Sequence, residues 1–157
     1  MKKFLCMFTA TTLLAACTSS SSSDTATAVA CKAVTKQEIA RLFDRWNASL
    51  QSGDPKKVVA NYAPDSILLP TVSNKVRFTA AEKEDYFHHF LEYKPKGTID
   101  LSYIQIGCNS AFDAGLYTFT YTKTGEKASG RYSFNYKWDG KEWLITEHHS
   151  SLMPETK

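Results

Sequence analysis

Excess charge of either sign is scarce in this 157-residue chain, which carries 19 Lys and Arg against 16 Asp and Glu. Without Lys2 and Lys3, which fall in an N-terminal export signal, the balance is 17 against 16, a net of +1. Such a balance builds no basic face for phosphates, so no nucleic-acid partner is expected. Cysteine is sparse too, at four, and no Cys-x-x-Cys occurs. His-Glu-x-x-His, Gly-x-Ser-x-Gly and Gly-x-Gly-x-x-Gly are missing as well. The usual signs of a zinc hydrolase, a serine hydrolase and a dinucleotide enzyme are therefore lacking, and neither metal nor cofactor is expected. His88-His89 lies on a helix without a second ligand pair at i+4. The longest apolar run, Phe4 to Leu14, is too short to cross a bilayer.

What is present starts with that run. Lys2 and Lys3, the apolar stretch and the small Ala15 and Ala16 have the three-part build of an export signal over residues 1–16. Leu14-Ala15-Ala16-Cys17 resembles the lipobox of bacterial lipoproteins, which implies cleavage before Cys17 and lipidation of that residue. Two or more acyl chains give stable anchoring. Thr18 stands where an aspartate would resemble an inner-membrane retention signal, so the expected location is the outer membrane, lipid-anchored and facing the periplasm. Residues 17–30, rich in Ser and Thr, form a tether that holds the rest within roughly 45 Å of the membrane. Cys6 leaves with the signal, so Cys31 and Cys108 remain in the domain at 31–154, followed by a tail at 155–157. An oxidising compartment favours pairing the two, closing a loop worth roughly 4 to 5 kcal/mol in the chain-entropy model; two separate thiols are the alternative.

Aromatics at 13 % supply an ample core. Thr35 and Glu38 make a capping box ahead of Ile39, Leu42, Phe43, Trp46 and Leu50, one stripe of a helix that stops at Gly53. Asp54-Pro55 starts a short second helix to about Ala63, and Ser66 to Leu69 is a short strand. A second capping box, Thr79 and Glu82, starts a helix whose buried stripe is Tyr86, Phe87, Phe90 and Leu91. From Thr98 the period becomes two. A phase slip between Tyr103 and Ile104 predicts a bulge, and strands follow at about 114–123, 128–138 and 142–149, with hairpin turns at Thr124-Gly125-Glu126 and Asp139-Gly140. The expected fold is α+β, about three N-terminal helices packed on one face of a curved antiparallel sheet.

This order, with Trp46-Asn47, Ser52-Gly53-Asp54-Pro55, Leu68-Leu69-Pro70-Thr71, Tyr86-Phe87, Gly115-Leu116-Tyr117-Thr118-Phe119 and His148-His149-Ser150-Ser151, resembles the nuclear transport factor 2-like superfamily. The similarity is closest to bacterial relatives of the calcium/calmodulin-dependent protein kinase II association domain, which include the SgcJ/EcaC group. It spans residues 31 to 154. The resemblance implies a cone-shaped, cystatin-like fold around a pocket, with assembly into a homodimer or higher homo-oligomer. SnoaL-like and ketosteroid isomerase-like members imply an enzymatic alternative, proton transfer on an apolar carbonyl compound.

Four polar residues are candidates for the pocket. In the last strand Trp143, Ile145, Glu147 and His149 share parity, with Leu144, Thr146 and His148 on the other side. If Trp143 and Ile145 face the helices, Glu147 and His149 project into the cone, either as a catalytic acid and base or merely satisfying one another. The resemblance puts histidine at both positions, and Glu147 departs from it. Related association domains place arginines deep in this pocket, which makes Arg77 and Arg131, together with His149, the candidate contacts for a small anionic or apolar ligand. A buried guanidinium needs an acid, either Glu147 or the ligand. The Arg131 strand alternates Tyr132, Phe134, Tyr136 and Trp138 with Arg131, Ser133, Asn135 and Lys137. Either the aromatics fill the cone, or Arg131 points inward and the aromatics form a subunit interface; the second is the expectation here.

Overall fold

A computed structural model describes residues 30–154. The export signal, Cys17, the tether up to residue 29 and the tail at 155–157 lie outside the described residues. Among those described, no helix is long and apolar enough to cross a membrane.

The elements are α1 (Lys36–Leu50), α2 (Pro55–Val59), β1 (Tyr62–Leu69), α3 (Ala80–Leu91), β2 (Pro95–Gly107), β3 (Ser110–Tyr121), β4 (Lys127–Trp138) and β5 (Trp143–Leu152). Both capping boxes form: the Thr35 amide donates to Glu38 Oε2 at 2.8 Å, and the Thr79 amide to Glu82 Oε2 at 3.1 Å. Each satisfies helix-end donors that would otherwise lack partners. Ile39, Phe43, Trp46 and Leu50 form the buried face of α1 as the spacing predicts.

α2 is shorter and β1 longer than the sequence pattern suggests. Asn61 donates through its side-chain Nδ2 to the carbonyls of Lys57 and Val58 at 3.1 and 3.0 Å, closing the helix early. The Asn61 backbone carbonyl accepts from the Ile145 backbone N–H at 2.9 Å, and Tyr62 starts the strand opposite Ile145. Pro64 therefore lies inside an edge strand, where its missing N–H is tolerated.

The five strands form one curved, open sheet in the order β1-β5-β4-β3-β2. β2 to β5 are antiparallel, whereas β1 runs parallel to β5, so the sheet is mixed at that edge and not wholly antiparallel. Two bulges bend it. The first lies between Ile99 and Leu101, earlier than the apparent slip in hydrophobic phase, and Thr118 Oγ1 donates to Asp100 Oδ2 at 2.7 Å across it. The second lies in β5 between Ile145 and Glu147, where Thr146 Oγ1 donates to the Asn135 carbonyl at 3.2 Å.

The helices cover one face, and their aromatics meet those of the sheet. Trp46 sits at the centre, its ring 5.8 Å from Phe43, 5.7 Å from Phe134 and 5.2 Å from His148. At the turn between β2 and β3, Cys108 is joined to Cys31 by a disulfide spanning 77 residues. The Lys32 amide donates to Asn109 Oδ1 at 2.7 Å beside it, fixing the N-terminal segment to that turn.

Gly115 is where β2 comes closest to β3: a Cβ built there would lie 1.8 Å from the Leu101 carbonyl oxygen, on backbone that cannot swing aside. Gly115→Ala should therefore lose about 2 kcal/mol or more of unfolding free energy in urea titration. An unchanged midpoint would mean that the first bulge does not require this close approach.

Candidate functional site: an aromatic cleft around His148

The bulge at Thr146 reverses which side chains of β5 face the helices. Ile145 is inward and 1 % exposed; after the extra residue, His148 is inward and 6 % exposed. Glu147 and His149 consequently lie on the face away from the helices, which corrects the expectation that they enter the cone. They border a shallow open depression with Leu69, Pro70 and Asn74. There Glu147 accepts from Asn135 Nδ2 at 2.9 Å and from Ser133 Oγ at 3.3 Å. Burial raises its carboxyl above the ordinary range, while the Asn135 and Ser133 hydrogen bonds and neighbouring His149 act in the opposite sense.

The arginines are not brought together either. Tyr132, Phe134 and Tyr136 point into the core at 4 %, 1 % and 2 % exposure, so the aromatics of β4 fill the interior. Arg131 is exposed on the opposite face, where its Nε donates to Ser151 Oγ at 3.3 Å. The inward arginine and the aromatic subunit interface are both overturned, because the outward row begins at Arg131. Arg77 lies near the mouth of the cleft with its charge already matched: Nη1 donates to Asp85 Oδ2 at 2.7 Å. Glu147 is the partner of neither.

Inside, a cleft of about 50 Å³ is walled by Trp46, Phe87, Phe90, Tyr117 and Phe119, with His148 among them. At one side the hydroxyls of Thr71 and Ser150 are hydrogen-bonded to each other. His148 is held by a relay. Trp46 Nε1 donates to the Tyr62 hydroxyl oxygen at 3.1 Å, and that hydroxyl lies 2.7 Å from His148 Nδ1. The indole can only donate, so the buried Tyr62 proton is free for Nδ1, its one acceptor among the described residues. Burial pushes the Tyr62 hydroxyl well above its usual range, which keeps that proton in place. Nδ1 thus accepts, and the imidazole proton sits on Nε2. Burial lowers the His148 pKa to about 3, with His149 nearby adding to the effect. The ring is a neutral hydrogen-bond donor.

His148 was not picked out in the sequence because a bulge leaves no mark in strand parity; the His148-His149-Ser150-Ser151 motif marked the segment but not which histidine turns inward. Two buried residues of charged type, Lys83 and Asp113, were also missed. Lys83, 1 % exposed, donates to the carbonyls of Ser66 and Phe78 at 2.8 and 2.6 Å. Its place one turn before Phe87 on the α3 stripe was the available signal. Asp113, also 1 % exposed, accepts from Ser102 Oγ at 2.6 Å and the Tyr132 hydroxyl at 3.0 Å, and burial raises its pKa. Among the described residues, no group of three or more His, Cys, Asp or Glu is placed to hold a metal ion.

Residues 35–154 match the family model described as calcium/calmodulin dependent protein kinase II association domain. A crystal structure from Xanthomonas campestris, a putative domain of that same description, is similar at 47 % identity and a TM-score of 0.75, covering 81 % of this chain and 96 % of its own. A cystatin-like protein of unknown function from Nostoc punctiforme shares the fold at 18 % identity and a TM-score of 0.67, over 80 % and 96 % of the two chains. A nuclear transport factor 2-like protein of unknown function from Pseudomonas putida does so at 14 % identity and 0.66, over 77 % and 88 %. No curated protein matches.

The lowered His148 pKa has a consequence for stability. From its ordinary value of 6.5 down to about 3, the unfolded chain binds a proton at this residue that the folded chain does not. Its contribution is therefore fully present above 6.5 and is lost as pH falls through that window, at up to about 1.4 kcal/mol per pH unit. Asp113 and Glu147, raised by burial, act with the opposite sign. They are common to wild type and His148→Gln, so urea midpoints of the two across this pH range should converge as pH falls. Parallel curves would contradict a neutral, enclosed His148.

Proposed function

The chain belongs to the calcium/calmodulin dependent protein kinase II association domain family, and from that premise we propose that it is a homo-oligomerising, ligand-holding module tethered to the outside of a bacterial membrane through Cys17. The observation that carries the reading is the sheet face without helices. All three helices pack on the opposite side, leaving Leu101 and Tyr103 54 % and 56 % exposed. Leu116 lies across from Leu101 on β3. Beside these apolar groups stand Arg131, which has no acidic partner among the described residues, and half-buried Glu147, which has no cationic one.

A face that offers apolar surface together with one unmatched cation and one unmatched anion is complementary to itself. In a two-fold pairing, Arg131 of one copy meets Glu147 of the other, and each pair is made twice. Sheet-on-sheet packing of this kind brings the two layers about 10 Å apart and removes Leu101 and Tyr103 from water. The aromatic cleft opens elsewhere and remains available to a small molecule.

Sedimentation equilibrium tests the association. Wild type should be dimeric or larger at micromolar concentration; Arg131→Glu and Glu147→Arg should each weaken assembly by about tenfold or more, and the double exchange should restore it. A monomeric wild type overturns the reading, as do single exchanges that leave assembly unchanged. The anchor is tested separately: Cys17→Ser should abolish acyl-chain incorporation and move the protein out of the membrane fraction, and a variant still acylated would remove Cys17 from the proposal.

A further inference from the structure

We infer that the end of the sheet carrying Tyr93, Lys94 and Lys123 is a docking surface for an anionic lipid bilayer. The inference goes beyond the assembly proposed above and rests on its membrane tether.

At this end β2 and β4 begin and β3 and β5 finish: Pro95 pairs with Tyr121, Thr120 with Lys127 and Gly130 with Leu152. The loop leaving α3 is stitched to the β3–β4 hairpin there. The Thr122 and Lys123 amides donate to the Lys94 and Tyr93 carbonyls at 3.1 and 3.4 Å, and the rings of Tyr93 and Tyr121 lie 5.8 Å apart. Lys94 and Lys123, both exposed, are thereby fixed on neighbouring turns.

Lys94 has a φ of 50°, in the left-handed region that favours glycine. Its amide closes the end of α3 by donating to the Leu91 carbonyl at 3.0 Å, a bond that glycine would make without strain. The lysine therefore sets a cation where the backbone alone calls for none.

Charge and exposed apolar surface coincide here. The described residues carry 16 Lys and Arg against 14 Asp and Glu. Lys94, Lys96, Lys123 and Lys127, against Glu92 and Glu126, account for that whole excess of two. None of the four lysines has an acidic partner among the described residues. On the same rim Val72, Tyr93 and Leu152 are 72 %, 50 % and 57 % exposed; Val72 and Leu152 border the cleft, and Tyr93 the recess beside it.

The residue types select the partner. Unpaired cations that are all lysine suit lipid phosphates better than a protein, because protein interfaces are enriched in arginine and depleted of lysine. A lysine stem lies along acyl chains with its ammonium at the headgroups, and a tyrosine ring settles at the same depth. Reach is sufficient as well. Residues 17–30 at full stretch span roughly 45 Å and β3 is roughly 40 Å long, so a chain anchored at Cys17 can lay this end against the same membrane.

Amide exchange read by mass spectrometry tests the surface on the full chain, anchored in phosphatidylcholine vesicles with or without about one-third phosphatidylglycerol. Phosphatidylglycerol should slow exchange about fivefold or more in residues 92–96 and 121–127 but not in the Cys108 turn, and high salt should remove the effect. Lys94→Glu combined with Lys123→Glu should abolish the difference between the vesicles. Lys94→Gly should weaken it while raising the urea midpoint, two effects that a purely structural lysine would not combine. Equal exchange in both kinds of vesicle, or slowing at the Cys108 turn instead, overturns the inference. Slowing by polyglutamate and not by phosphatidylglycerol also overturns it, and assigns the surface to an acidic protein. A chain that proves not to be acylated is added to the same vesicles from solution, so a failed anchor and a failed docking surface are separate results.

Discussion

A single tyrosine proton organises the interior. Tyr62 is buried at the start of an edge strand, and its hydroxyl already accepts from the Trp46 indole, so its proton has only His148 Nδ1 to reach. With the indole bond, it ties β1 and α1 to β5, which lies more than eighty residues further along the chain. It requires β1 to lie parallel beside β5, and it requires β5 to present His148 and not His149 to the helices. An unsatisfied hydroxyl in the same aromatic surroundings would cost about 1 to 3 kcal/mol. The mixed edge, the bulge at Thr146 and the imidazole tautomer are three aspects of one satisfied hydrogen bond.

The parts legible in the sequence are those whose causes are local. Thr35 with Glu38, and Thr79 with Glu82, announce helices because a capping box is closed within four residues. The hairpin turns are legible for the same reason, with Gly125 and Gly140 at positive φ as such turns demand. What escapes is set by distant partners. The reach of β1 back to Tyr62 depends on Ile145, more than eighty residues on. The orientation of Glu147 and His149 depends on how β5 pairs with β4, and one extra residue there exchanges every side chain beyond it between the faces. Arg131 illustrates the same limit from the other side: alternation grouped it correctly with Ser133 and Asn135, but which row turns inward was decided by the packing of Tyr132 and Phe134 against Phe43.

The two faces of the sheet divide the chemistry between them. The inner one is aromatic, with Lys83 matched by carbonyls, Asp113 by hydroxyls and His148 by Tyr62, while the Tyr136 hydroxyl is enclosed without a partner among the described residues. The outer one carries Arg131, Glu147 and His149 on adjacent strands beside the apolar Leu101 and Tyr103. A bulge that moves one carboxylate and one imidazole from the first face to the second therefore changes what each face can do. The interior keeps a neutral donor, and the exterior gains unmatched charge.

The disulfide bears on how the domain takes a mechanical load. Cys108 closes on Cys31 beside Ser110, the first residue of β3, while Tyr121 at the other end of the same 12-residue strand borders the aromatic cleft. The two ends are roughly 40 Å apart along the strand. A pull on the residue before Cys31 is shared between the β2–β3 turn, reached through the bridge, and α1, reached through Lys32 to Thr35. The cleft lies toward the other end of that strand, so strain entering at the disulfide must cross the length of the sheet to reach it.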